Sequence, residues 1–151
     1  MLTRRAFMIG ATAIPMVAMT TMAHAQKPPV FSAGGGVAIN GYDPVAYFTQ
    51  SAAVQGSPDH TSTHDGAVWQ FANAENKAMF DADPAKYAPQ YGGYCAYAVS
   101  RGYTASTDPH AWTVHNGKLY LNYSKSVQGL WRLRRAAHIK SADANWPSVL
   151  D

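Results

Sequence analysis

Residues 112–121 read WTVHNGKLYL. Asn116-Gly117 lies between two β-prone runs, Trp112-Thr113-Val114-His115 and Lys118-Leu119-Tyr120-Leu121. The favoured two-residue hairpin turn needs positive φ at both central residues, which Asn and Gly supply at least cost. The stretch therefore predicts two antiparallel strands. Upstream, residues 60–71 read HTSTHDGAVWQF and carry a second hairpin signal at Asp65-Gly66. Trp69 and Phe71 alternate with Val68 and Gln70, so they share one face of a strand. Val37-Ala38-Ile39 is a further short strand candidate ahead of an Asn40-Gly41 turn, and residues 50–59 read as a loop.

Helices fill the gaps. Asn73 is a good N-cap for a helix over about Ala74–Phe80. Asp83-Pro84 stops it and opens a helical turn through Tyr87, which Pro89 ends. Cys95 to Ser100 is a helix turn or a strand, and periodicity does not decide between them. Ser124 or Ser126 caps a final helix to about Ala137, with Val127, Leu130 and Trp131 forming an apolar stripe. Residues 142–151 are expected to dock through Trp146 and Pro147. The order of strands, helix, strands, helix predicts an α+β fold with a small antiparallel sheet and a few short helices. No internal repeat is evident.

The chain opens MLTRRAFMIGATAIPMVAMTTMAHAQ. Arg4 and Arg5 precede an uncharged apolar run from Phe7 to Thr21, and Ala23-His24-Ala25 is a small-x-small cleavage signal. This is the layout of an export leader over residues 1–25. Thr3-Arg4-Arg5-Ala6-Phe7-Met8 also fits a twin-arginine signal, which makes the twin-arginine translocase the expected export partner and the periplasm the expected location. The apolar run is short for a bilayer span, and no stable membrane span is expected after cleavage. Residues 26–36, rich in Pro and Gly, are expected as a mobile arm before a single domain at 37–151. The net charge is +3. Two of the cations sit in the leader, so no nucleic-acid surface is expected.

Cys95 is the only cysteine, which excludes an internal disulfide. It lies in YAPQYGGYCAYAVSRG at 87–102, among Tyr91, Tyr94 and Tyr97 and just after Gly92-Gly93, which makes a turn or lets the backbone approach something bound. One reading is a small buried core residue; the other is a metal ligand or reactive thiol. His60 and His64 are an even number apart and share a face if both lie on one strand. Met79 is the only methionine beyond the leader, so a Met-rich copper site has no support. Asp43, before Pro44, is a turn device or, with Tyr42, lines a pocket beside Cys95. There is no phosphate loop, HExxH or CxxC, and no spacing identifies a nucleophile set. Binding is favoured over catalysis. The alternatives are a redox or ligand-binding protein with a tyrosine-rich pocket around Cys95, bounded by Tyr42, Asp43, Tyr94 and Tyr97, and a non-catalytic interaction domain.

GYDPVAYF at 41–48 is followed by HDGAVWQFANAENKAMFDADPAKYAPQYGGYCAYAV at 64–99. With DPHAWTVHNGKLYLNYS at 108–124 and IKSADANWP at 139–147, the chain resembles the YHS-domain family, in its exported bacterial form. The resemblance implies a YHS/TRASH-like fold and a periplasmic binding module for a transition metal, copper or zinc, with Cys95 as the best ligand and a histidine, His60 or His64, as its partner. Metal-binding members carry one Cys soon after Asp-Pro-Val and another after the aromatic of the second strand. Here Ala46-Tyr47 follow Asp43-Pro44-Val45, and Ala72 follows Phe71.

Overall fold

The computed structural model describes residues 13–16, 18 and 25–151. The leader expectation, Arg4-Arg5 included, therefore lies largely outside the described residues. The fold is α+β. After a tight turn at Ala38–Gly41 come α1 (Ala46–Thr49), β1 (Ser57–His64), β2 (Ala67–Phe71), α2 (Ala74–Ala82) and α3 (Pro84–Tyr87). A second tight turn, Gln90–Gly93, leads into α4 (Ala96–Ser100), β3 (Asp108–His115), β4 (Lys118–Asn122), α5 (Lys125–Leu133) and α6 (Arg135–Asn145).

Both hairpins form where Asp-Gly and Asn-Gly predict them. Asp65, Gly66, Asn116 and Gly117 all have positive φ, at 49°, 76°, 50° and 71°. β1 pairs antiparallel with β2 (His64 opposite Ala67), and β3 with β4 (His115 opposite Lys118). Instead of one small sheet there are two separate two-stranded ribbons. β4 explains the separation. Leu119 and Leu121 enter one core cluster with Trp69, Phe71 and Phe80, while Tyr120 enters a second with Tyr91, Tyr94 and Trp131. The ribbons thus meet through side chains rather than edge-to-edge hydrogen bonds.

The structure contains a repeat that the sequence does not announce. β1, β2 and α2 match β3, β4 and α5 element by element at a constant offset of 51 residue numbers. Both leading strands carry an irregularity in register, between Ser57 and Thr61 and between Asp108 and Trp112. Asn73 and Ser124 cap α2 and α5 at nearly the same backbone angles (φ −155°, ψ 171° and φ −155°, ψ 169°), each side chain accepting the third backbone N–H of its helix. Trp69 packs on Phe80 with ring centroids 5.1 Å apart, and their counterparts Tyr120 and Trp131 at 5.2 Å. The sequence hides this because the equivalent core pairs differ: Trp faces Phe in one half, Tyr faces Trp in the other.

Three local expectations differ from the structure. Val37 to Ile39 is no strand. Val37 makes one bridge to Val68, and Ile39 and Asn40 turn left-handed at φ 51°. The last helix does not run to Ala137 unbroken; Arg134 (φ −134°, ψ 45°) separates α5 from α6. Residues 26–36, expected as a mobile arm, are tied to the body. Lys27 N donates to Leu150 O (2.8 Å), Phe31 N to Gly92 O (2.9 Å), and Val68 N to Gly36 O (2.9 Å). Gly92 makes this seat possible, since a Cβ there would overlap the Pro29 carbonyl oxygen.

Candidate functional site

Cys95 sits just before α4, 1% exposed. Its sulfur accepts from Tyr123 N (3.2 Å) and its S–H points at Asn122 Oδ1, 3.6 Å away. Asp43 holds the matching place ahead of α1, at a spacing of 52, one more than separates the hairpins, and is 0% exposed. Its Oδ2 accepts from Ala72 N (2.8 Å), and Ala72 is the counterpart of Tyr123 at the same offset of 51. The backbone entries agree as well. Asp43 N donates to Val54 O (2.8 Å) and Cys95 N to Ala105 O (3.0 Å). Carboxylate and thiol thus perform one task, clasping the end of a hairpin to the start of a short helix.

This geometry decides how the metal expectation fares. The Cys95 sulfur is surrounded by an amide oxygen and a backbone N–H, with neither imidazole nor carboxylate hydrogen-bonded to it. No group of three His, Cys, Asp or Glu among the described residues is placed to hold a metal ion. His60 and His64 both lie on β1, but His64 pairs with Asp65 Oδ2 (3.2 Å) and packs edge-on against Phe80. The residues Cys95, His60 and His64 are not assembled into a site, and this donor set does not fit copper or zinc, which need thiolate or imidazole ligands turned to a common point.

The proposed ligand-binding set of Tyr42, Asp43, Tyr94 and Tyr97 is also dispersed. Both Asp43 oxygens are used internally: Oδ1 by Val45 N (2.8 Å) and Ala46 N (3.3 Å), Oδ2 by Ala72 N and the Asn76 amide (2.7 Å). Tyr94 is 5% exposed and donates to Pro28 O (2.8 Å), holding the N-terminal segment. Tyr42 meets His110 Nε2 at 3.2 Å. Tyr97 packs on His138, with centroids 5.2 Å apart, beneath the Arg101 guanidinium. None of these four lines the three clefts at Tyr91, Thr113 and Tyr120 among the described residues.

An aromatic cleft does exist one turn upstream of Cys95. It encloses about 390 Å³ and is lined by Trp69, Tyr91, Trp146 and Pro89 among others. Tyr91 adopts the left-handed region (φ 58°, ψ 34°), which costs a non-glycine residue on the order of 1–2 kcal/mol. Its ring stands 6.1 Å from that of Trp146 at 62°. Its hydroxyl donates to Asp143 Oδ1 at 2.9 Å. Burial first, and then this bond to Asp143, push the Tyr91 phenol far above its ordinary value. Asp65 and Asp143 also line the cleft, and no Lys or Arg does.

Sequence reasoning counted Tyr91 among the tyrosines around the thiol and missed its pairing with Asp143. The usable signal was Gly92-Gly93, which marks a chain reversal. That reversal brings the Tyr91 hydroxyl to Asp143 on α6. Comparison with known proteins adds no relative: no family model matches the chain, and no curated protein or solved structure matches it.

Proposed function

We propose that this chain is an exported, non-catalytic ligand-binding module of the YHS type, and that its aromatic cleft takes a small organic cation. The export part rests on the leader at residues 1–25 and its paired Arg4-Arg5. The family part rests on GYDPVAYF and the motifs that follow it. The ligand class rests on one observation: Tyr91 is held in a strained conformation against Asp143 at the wall of a cleft that carries carboxylates and aromatic faces but no cation. Strain of this kind persists only where the surroundings over-determine it, and it concentrates at binding sites. Aromatic rings and a carboxylate together attract an ammonium group through ring quadrupole and charge.

Three ligands of similar shape separate charge from bulk: benzyltrimethylammonium, benzyl alcohol and benzoate. Calorimetry is expected to give saturable binding of the cation, at about 1 mM or tighter, and none of the alcohol. Trp146→Ala and Asp143→Asn are each expected to abolish it. Equal binding of cation and alcohol would reject the charge assignment, and no binding of either would reject the site.

A further inference from the structure

The two halves treat one equivalent position in opposite ways. In the first half Ser62 on β1 donates to Asp81 Oδ1 in the last turn of α2, and Lys77 pairs with Asp81 Oδ2 at 2.7 Å. The offset of 51 converts Ser62 to Thr113, Lys77 to Gln128 and Asp81 to Arg132. The Thr113 hydroxyl oxygen accepts from Gln128 Nε2 (3.0 Å) and from an Arg132 guanidinium N–H (3.4 Å). A hydroxyl has two lone pairs and one hydrogen. Both lone pairs are engaged, so the hydrogen lacks the carboxylate that Ser62 has. Thr113 is 7% exposed and lines the cleft beside it.

Around Thr113, a cleft of about 430 Å³ opens between β3 and α5, lined also by His110, Trp112, Lys125 and Arg132. No carboxylate lines it. Among the described residues neither Lys125 nor Arg132 has a salt-bridge partner. The acid nearest along the strand, Asp108, turns Oδ1 back onto His110 N at 2.9 Å. We propose that this cleft binds an oxyanion, the carboxylate or phosphate of a small molecule, seated beside Arg132, which stands where Asp81 stands in the first half. The Thr113 hydroxyl, the Arg132 guanidinium and the Lys125 ammonium are its donors, and the half-buried Trp112 ring gives its body an apolar wall. This site is independent of the aromatic cleft, which has the opposite charge.

The test is an NMR titration of the full chain at low ionic strength with inorganic phosphate and, separately, with benzoate; the two arms separate phosphate from carboxylate recognition. Saturable shifts of the Thr113 and Arg132 amides and the Trp112 indole are expected with at least one anion, fading as salt screens the charges. Arg132→Gln is expected to weaken binding about tenfold or more, because a charge-assisted bond is lost. The double variant Gln128→Lys, Arg132→Asp rebuilds the first-half ion pair and is expected to abolish binding while the protein stays folded. Asp143→Asn should leave it unchanged. Absence of saturable shifts with both anions up to roughly 10 mM, or undiminished affinity in the rebuilt double variant, would overturn the proposal.

Discussion

Asp43 and Cys95 occupy equivalent places in the two halves of the molecule. Each is completely or almost completely buried, each precedes a short helix, and each accepts the backbone N–H that follows its hairpin, from Ala72 at 2.8 Å and from Tyr123 at 3.2 Å. A carboxylate with four hydrogen-bond donors around it is the stronger clasp; sulfur is a weak acceptor. Asp43→Ala strands several buried donors, each costing about 1–3 kcal/mol, and is expected to lose about 3–5 kcal/mol in urea denaturation. Cys95→Ala is expected to lose only about 1–2 kcal/mol. Equal losses at both positions would contradict the ranking.

The thiol itself is expected to be inert in the native protein. Cys95 is 1% exposed and its S–H faces Asn122. Alkylation by a small thiol reagent should proceed at the rate of opening, accelerating in denaturant. Added copper or zinc should not raise the melting temperature through this residue. A Cys95-dependent rise in melting temperature with either metal would restore the thiol as a ligand.

Gly92 controls how the N-terminal segment is seated. It has φ 62°, and a side chain there would overlap the Pro29 carbonyl oxygen. Gly92→Ala is expected to cost about 1–3 kcal/mol, to break the bond from Phe31 N to Gly92 O, and to render residues 26–36 sensitive to limited proteolysis. Unchanged protease resistance would show that the segment is held elsewhere.

Two kinds of group bound the pH range of stability. Burial, then Arg101 and Arg134, hold His138 below its ordinary 6.5. Folding therefore favours neutral His138; this contribution is whole above 6.5 and is lost as pH falls below it. Burial pushes the phenols of Tyr47 and Tyr91 above 10.0. Their contribution is whole below 10.0 and is lost as pH rises beyond it, because only the unfolded chain ionises freely. Denaturation midpoints are expected to form a plateau between these limits. His138→Gln should remove the slope on its acid side near 6.5, and a slope unchanged in that variant would contradict the assignment.

The hairpins, the Asn73 and Ser124 caps and the α+β class were legible because each depends on a local signal: paired residues tolerant of positive φ, or a side chain that caps a helix. The repeat was not, because it survives as geometry rather than identity. Trp69 and Tyr120 share a position, as do Phe80 and Trp131, and Asp43 and Cys95 do the same job with different chemistry. The site was half legible. Gly92-Gly93 marked the reversal, but only the fold shows that Tyr91 turns left-handed at φ 58° and meets Asp143 from a helix 52 positions away. Cys95 drew attention by its rarity, which says nothing about access.

The aromatic cleft is tested most directly by the indole N–H resonance of Trp146 during titration with benzyltrimethylammonium. The resonance is expected to shift saturably in the native chain, to respond far less in Asp143→Asn, and to be unaffected by Arg132→Gln. A Trp146 resonance that does not move, or that moves equally when Asp143 is neutralised, would contradict a cation site built on Tyr91, Trp146 and Asp143.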